Sequence, residues 1–256
     1  MKKTTCLILV LTFLSCAGFA QEIVFNKQAS ASQCCLKSQE SINLLPMNDL
    51  DVETGYVLYE AEIDGSADSP QLNLENVRDY AVVFLDDQFQ GTLTDQHKQL
   101  SLKAAKGKHK LRIFVENIGR ITYGPEILDN SKGLFGSITL DNDEIENWVI
   151  TPLGIRNLEV SKLVFEQRKG SALPGFFQAE FMLSQPDAYY LDISGWGMGE
   201  VWINGTYAGA YWEEEKQQSI QLPAELLKAG KNEIIVFELK NLEQKYMKLS
   251  KQAVFR

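Results

Sequence analysis

The densest run of alternating apolar and polar positions spans Ser194 to Leu239, and it predicts four strands. Val201-Trp202-Ile203 is a short β-branched and aromatic segment followed by Asn204-Gly205. Asn-Gly between apolar runs predicts a two-residue hairpin turn, because both central residues need φ > 0. Ala210-Tyr211-Trp212 continues the return strand and puts Tyr211 and Trp212 on opposite faces. Ser219 to Leu222 alternates and Pro223 stops it. Gly230-Lys231-Asn232 predicts a second turn, and Ile234 to Leu239 is apolar enough for a strand buried on both faces.

The same plan occurs earlier. VFLDDQFQG (Val83 to Gly91) aligns with VWINGTYAG (Val201 to Gly209) at an offset of 118. GKHKLRIFVE (Gly107 to Glu116) aligns with GKNEIIVFEL (Gly230 to Leu239) at an offset of 123. The extra residues fall between the two matches, where a loop absorbs them. Two copies of one supersecondary unit predict two tandem β-sandwiches of one type.

Other alternating segments fill in this plan. Val57, Tyr59, Ala61 and Ile63 share one strand face, with Leu58, Glu60 and Glu62 on the other. Leu72 and Leu74 alternate, Ala81 to Leu85 leads into the turn pair Asp86-Asp87, and Leu111, Ile113 and Val115 oppose Arg112 and Phe114. Further strands are expected at Leu163 to Phe165, Phe176 to Leu183 and Tyr189 to Ile193, with strand-like fragments at Ile23 to Phe25 and Ile42 to Leu45. Helix is confined to about one turn at Ala224 to Lys228. The expected divisions are a targeting segment at 1–20, a lead-in at 21–54 with a candidate edge strand, a first sandwich at 55–152 and a second at 153–256.

Met1 to Ala20 has a basic start (Lys2, Lys3), an apolar run from Leu7 to Leu14, and small residues at Gly18 and Ala20. That is the form of a secretory signal, and it predicts an exported protein beginning at Gln21. A competing reading makes Phe13 to Cys16 a lipoprotein box with Cys16 lipidated. The apolar run is too short for a span of about 20 residues, so no transmembrane helix is expected. Loss of Lys2 and Lys3 would take the formal charge from −9 to −11. An acidic chain argues against nucleic acid and anionic membrane as partners. Only Cys34 and Cys35 follow the signal, too close in sequence to bridge readily, and His97 and His109 have no partner at metal-ligand spacing.

With these strands placed, the motifs carry a resemblance. GWGMG (Gly195 to Gly199), VWING (Val201 to Gly205), AGAYW (Ala208 to Trp212), EKQ and SIQLP resemble the C-terminal galactose-binding-like domain of glycoside hydrolase family thirty-five β-galactosidases. GYVLY (Gly55 to Tyr59), ENIGRITYG (Glu116 to Gly124), LDNSKGLFGSITL (Leu128 to Leu140) and WVITPL (Trp148 to Leu153) resemble the β-domain before it. The resemblance implies all-β architecture built as two tandem jelly-roll, galactose-binding-like sandwiches. In those enzymes a TIM barrel supplies both catalytic glutamates, and a barrel needs about 200 residues or more. Some fifty residues precede the match, so a non-catalytic chain is expected. Met198, Ala210 and Thr122 stand where that family usually has Lys, Arg and Asn. The missing Lys and Arg are read as side chains that held the sandwich against the barrel.

Two residue sets are candidates for ligand binding. Trp196, Trp202, Tyr211 and Trp212 have the rings on which pyranose faces stack, with Asn204, Glu213 and Gln217 nearby in sequence as polar partners. Large aromatics also serve cores, so burial is the competing expectation. Asn117, Arg120 and Tyr123 form a polar loop patch that either grips sugar hydroxyls or fixes loop shape. The acidic runs Asp141 to Glu144 and Glu213 to Glu215 are too solvated for paired-carboxylate catalysis. Loop oxygens suit calcium in kind, but nothing indicates a site, and no cofactor is implied. Asn204-Gly205-Thr206 is a glycosylation sequon that the turn already explains. The expected partner is a galactoside or polysaccharide; the alternatives are a scaffold docking on a separate catalytic glycoside hydrolase chain, or a remnant of a β-galactosidase.

Overall fold

The computed structural model describes residues 21–65, 69–103, 106–120, 122–170 and 172–256. The expected targeting segment, with Cys16, lies outside the described residues. Three strands come first: β1 (Gln21–Val24), β2 (Lys27–Ser30) and β3 (Gln39–Ser41). There follow β4 (Gly55–Gly65), β5 (Gln71–Arg78), β6 (Tyr80–Leu85), β7 (Gln88–Thr94), β8 (Gln99–Ser101), β9 (Gly107–Asn117), β10 (Gly133–Leu140), β11 (Asp143–Glu144) and β12 (Trp148–Leu153). The last group is β13 (Glu166–Gln167), β14 (Gly175–Leu183), β15 (Tyr189–Asp192), β16 (Met198–Ile203), β17 (Thr206–Trp212), β18 (Ser219–Leu222), β19 (Gly230–Glu238) and β20 (Tyr246–Ser250). The described helices are short 3₁₀ turns, one of them at Ala224–Leu226.

The strands form four antiparallel sheets, two per sandwich. One sandwich pairs the order β3-β12-β4-β9-β6-β7 with β11-β10-β5-β8; the other pairs β13-β2-β14-β19-β16-β17 with β1-β20-β15-β18. Adding ten to each strand number of β4-β9-β6-β7 gives β14-β19-β16-β17, so the sequence repeat is a structural repeat. The likeness extends to single bonds. Asp86 and Asn204 open the two hairpin turns with φ of 47° and 51°. Asp86 Oδ1 accepts the Lys110 N–H at 2.8 Å, and Asn204 Oδ1 accepts the Glu233 N–H at 3.1 Å. Each hairpin also shifts register at the same step, between Val83 and Phe84 and between Val201 and Trp202.

The lead-in serves both sandwiches. β1 and β2 join the second one, where β2 lies between β13 and β14, while β3 is an edge of the first. Two sequence expectations shift. Ile42 to Leu45 is irregular, with the strand just before it at Gln39–Ser41. Leu163 to Phe165 is also not a strand; a 3₁₀ turn at Val160–Lys162 leads into it and β13 begins at Glu166. In both places a short apolar run packs from a loop, which periodicity cannot distinguish from a strand.

The two large sheets face each other. Val57, Tyr59, Val83 and Ile113 fill the first sandwich's own core, with Leu134 and Trp148. The opposite face of the same sheet, bearing Tyr56, Leu58, Tyr80, Val82, Phe84 and Phe114, is continuous with the second sandwich's core. Tyr56 meets Phe237 edge to face at 5.1 Å between centroids, and Tyr80 meets Trp212 at 5.7 Å. This explains why β6 and β16 are buried at every position: each large sheet is covered on both sides. An apolar seam of this kind couples the sandwiches as one body, unlike the polar contacts of mobile domain pairs.

Candidate functional site

The seam contains a buried polar cluster that none of the sequence motifs announces. Glu200 lies on β16 and period-two alternation turns it to the same face as Trp202, opposite Phe237 of β19. It is fully buried. The Tyr56 hydroxyl donates to Glu200 Oε1 at 3.1 Å, and the Tyr207 hydroxyl donates to Oε2 at 2.5 Å. Arg156, three residues past β12, donates Nε to Glu200 Oε1 at 3.3 Å and Nη2 to Glu116 Oε1 at 3.4 Å. One guanidinium thus bridges a carboxylate from each sandwich.

Glu116 is the unusual member. It pairs in register with Tyr56 on one side and Tyr80 on the other, and only 2% of it is exposed. Its Oε2 is buried with no hydrogen-bond partner. Burial pushes its carboxyl up to about 7, the Glu200 charge adds to the rise, and Arg156 opposes it. The indole Nε1 of Trp212 is likewise buried without a partner. This lone acceptor and lone donor, each covered from solvent and costly to leave unsatisfied, belong to two residues that line one cavity. That cavity measures about 470 Å³ and is lined by Glu116, Arg156, Met198, Trp212, Gln217 and Ser219, among others. Ala210 lines it too. Positions 198 and 210 thus share a cavity lining with Glu116 of the first sandwich.

A larger hollow, about 800 Å³, lies between the β6–β7 hairpin at Phe89 and the loop from Lys240 to Gln244. Two of its amides are already engaged: Asn241 donates to Gly195 O and Gln244 donates to Ser194 O. The seam cavity is smaller, and two of its lining residues, Glu116 and Trp212, carry a buried polar atom without a hydrogen-bond partner; in the larger hollow Asp87 is paired with Arg112.

The sequence candidates separate in space. Tyr211 and Trp212 both line the seam cavity, from opposite faces of β17. Trp196 does not reach it: the ring is wholly buried in the second sandwich, packed on Phe25 and Phe177, with Nε1 donating to Tyr246 O at 2.9 Å. Trp202 is buried in the seam between the rings of Phe176 and Tyr207. Asn117 is buried and shapes its loop, donating to Val52 O and Glu53 O and accepting from the Gly119 N–H. Arg120 and Tyr123 stand exposed in the loop between β9 and β10, Tyr123 at 85%. Asn204 is spent on its turn and Glu213 pairs with Lys240.

The GWGMG segment also acquires a structural role. Glu238, fully buried at the end of β19, accepts N–H groups from Gly197, Met198, Lys240 and Asn241 and lies 2.8 Å from the Tyr211 hydroxyl. Burial raises its carboxyl, against these hydrogen bonds. A Cβ at position 199 would sit 1.8 Å from Phe237 O, so only glycine allows the strands this close. The motif latches the loop before β16 to the end of β19.

Among the described residues, no three His, Cys, Asp or Glu side chains gather as a metal site. Cys34 is buried and Cys35 exposed, both free, and burial pushes the Cys34 thiol up to about 12. No described helix is long and apolar enough to cross a membrane.

Comparison with known proteins agrees with this architecture. The chain is 32% identical over 211 residues to Beta-galactosidase-1-like protein 2 of Homo sapiens, covering 79% of this chain and 32% of that protein. It is 31% identical over 246 residues to Beta-galactosidase 17 of Arabidopsis thaliana, covering 84% and 35% respectively. It is 32% identical over 181 residues to the β-galactosidase of Xanthomonas manihotis, covering 69% and 29%. The chain spans about a third of the length of these relatives. Neither of the domains it matches is the catalytic barrel. Residues 45–154 match the β-galactosidase first all-β domain family and residues 174–232 match the β-galactosidase galactose-binding domain family, so the chain carries two accessory β-domains of the β-galactosidase type.

Proposed function

We propose that this chain is an exported, non-catalytic carbohydrate-binding module whose ligand site is the seam cavity. The observation that carries the reading is the pair of unpartnered buried groups, Glu116 Oε2 and Trp212 Nε1, beside Arg156. A sugar hydroxyl both donates and accepts, so adjacent hydroxyls answer a carboxylate, a guanidinium and an indole N–H together. The cavity is within the usual size range of small-molecule sites, about 300–1,000 Å³. The matched galactose-binding domain supports a galactoside as the first ligand to try. Export rests on the signal-like segment at 1–20.

The catalytic chemistry of glycoside hydrolysis needs two carboxylates flanking an open substrate path. Glu116 and Glu200 are instead tied to one guanidinium inside a seam. Titrating the protein with galactosides and plant and host polysaccharides, while following hydrolysis in the same samples, tests the reading. Saturable binding without turnover is expected, and turnover would overturn the non-catalytic assignment.

A second reading is favoured by one observation. The loop between β9 and β10 exposes Ile118, Tyr123, Ile127 and Leu128, the last at 96%. An exposed apolar loop suits a scaffold that docks on another chain. Co-purification of a glycoside hydrolase with the wild-type chain, lost on Leu128→Ser, would favour it.

A further inference from the structure

The charges around the seam cavity do not balance. Its lining holds Glu116, Glu215 and Arg156, and Glu200 stands directly behind Arg156. The one guanidinium is divided between Glu200 and Glu116, and no other lining residue is basic. The remaining lining near these groups is neutral: Met198, Ala210, Trp212, Gln217 and Ser219. A carboxylate oxygen that is buried and unpartnered attracts a positive charge far more than it attracts a neutral dipole. A simple amine would answer Glu116 and leave the Trp212 N–H without an acceptor. A ligand bearing both an ammonium and hydroxyl groups satisfies both.

Building on the carbohydrate-binding reading, we infer that the seam cavity selects amino sugars with a free amine over neutral and acidic sugars. The ammonium takes Glu116 Oε2, a neighbouring hydroxyl accepts from Trp212 Nε1, and Arg156 keeps both acidic groups in place. A uronic acid would bring a second carboxylate against Glu116 and is excluded. N-acetylation removes the charge and with it the preference. Binding is also proton-linked. Glu116 must be ionised to hold the ammonium, and the groups that set its charge are Glu200, Arg156, Tyr56 and Asp79, the last paired with Lys132. Its carboxyl titrates at about 7. Acidification through that value therefore protonates it and weakens the preference.

The test is calorimetric titration of the intact chain with galactosamine, N-acetylgalactosamine, galactose, galacturonate and putrescine at about pH 7 and about pH 5.5. Galactosamine is expected to bind about tenfold or more tighter than galactose at the higher pH, with most of that advantage lost at the lower. Galacturonate and putrescine should bind more weakly than either. Glu116→Gln should bring galactosamine down to the level of galactose. Ala210→Arg, on an exposed strand position that does not test folding, should have the same effect by adding a cation. Equal binding of galactose and galactosamine would overturn this inference and leave the carbohydrate-binding reading standing. Putrescine binding as tightly as galactosamine would make the site an amine site and overturn its sugar part. Failure of every sugar would overturn both.

Discussion

Tyr56 of the first sandwich donates its hydroxyl to Glu200 of the second at 3.1 Å, across a seam where both residues are buried. The two are 144 residues apart in sequence. Their bond and the Arg156 bridge turn two repeats into one body. Removing one hydroxyl from a buried carboxylate costs about 1.5–3 kcal/mol, since the remaining donors cannot fill its place. Tyr56→Phe is expected to lower unfolding stability by that amount in urea melts. Glu200→Leu leaves Arg156 with Glu116 alone and should cost about 3–5 kcal/mol.

The Glu116 carboxyl gives stability a pH dependence of unusual sign. Its folded value of about 7 stands above its ordinary value of 4.5. Between those values the folded state holds a proton that the unfolded state has lost, so stability falls as pH rises through the window. The fall attributable to this group is about 3 kcal/mol, complete above pH 7. Glu116→Gln should flatten the urea-melt stability between about pH 4.5 and about pH 7, while wild type declines across it. An identical slope for the two proteins would contradict the assignment.

The Glu238 latch predicts a different kind of defect. Gly199→Ala forces Phe237 O and the Tyr211 hydroxyl away from a strand with no room to move, and a loss of about 4 kcal/mol or more is expected. Tyr211→Phe removes one donor from Glu238 and leaves its four N–H groups, so about 1–2 kcal/mol is expected. Thermal melts followed by tryptophan fluorescence measure both. Equal losses would mean that strand spacing is not what the glycine protects.

Much of the frame was legible because turn chemistry and periodicity are local. Asn204-Gly205 and Asp86-Asp87 require positive φ, and both turns form where the sequence places them. The opposite facing of Tyr211 and Trp212 follows from period two alone. The site was not legible. A single glutamate in an apolar strand, as in GEVW or FVEN, reads as an outward position, and nothing local says that a second sheet covers it. Arg156 sits in a loop where arginine is ordinary. The aromatic set was found by residue type, which cannot separate Trp196 in a core from Trp212 at a cavity. The one available signal was the lone acid in a strand otherwise apolar on both faces.

The repeat offers a direct comparison. Asn204 donates to Leu226 O and Asn232 Oδ1 as well as accepting from Glu233, whereas Asp86 accepts from Lys110 and meets His109 Nδ1 at 2.6 Å. Asn204→Ala loses a buried network and a residue tolerant of positive φ, and should cost about 2–3 kcal/mol in urea melts. Asp86→Ala, at a more exposed turn, should cost about half as much.

The measurement that tests the central claim most directly is indole NMR of the intact chain during titration with galactosides and amino sugars. The chain has four tryptophans, and Trp148 and Trp196 already donate their N–H groups to Ile145 O and Tyr246 O. If the seam cavity is the site, the Trp212 indole N–H shifts saturably while those of Trp148 and Trp196 stay fixed. Saturable binding that leaves the Trp212 signal unmoved would place the ligand elsewhere and contradict the account.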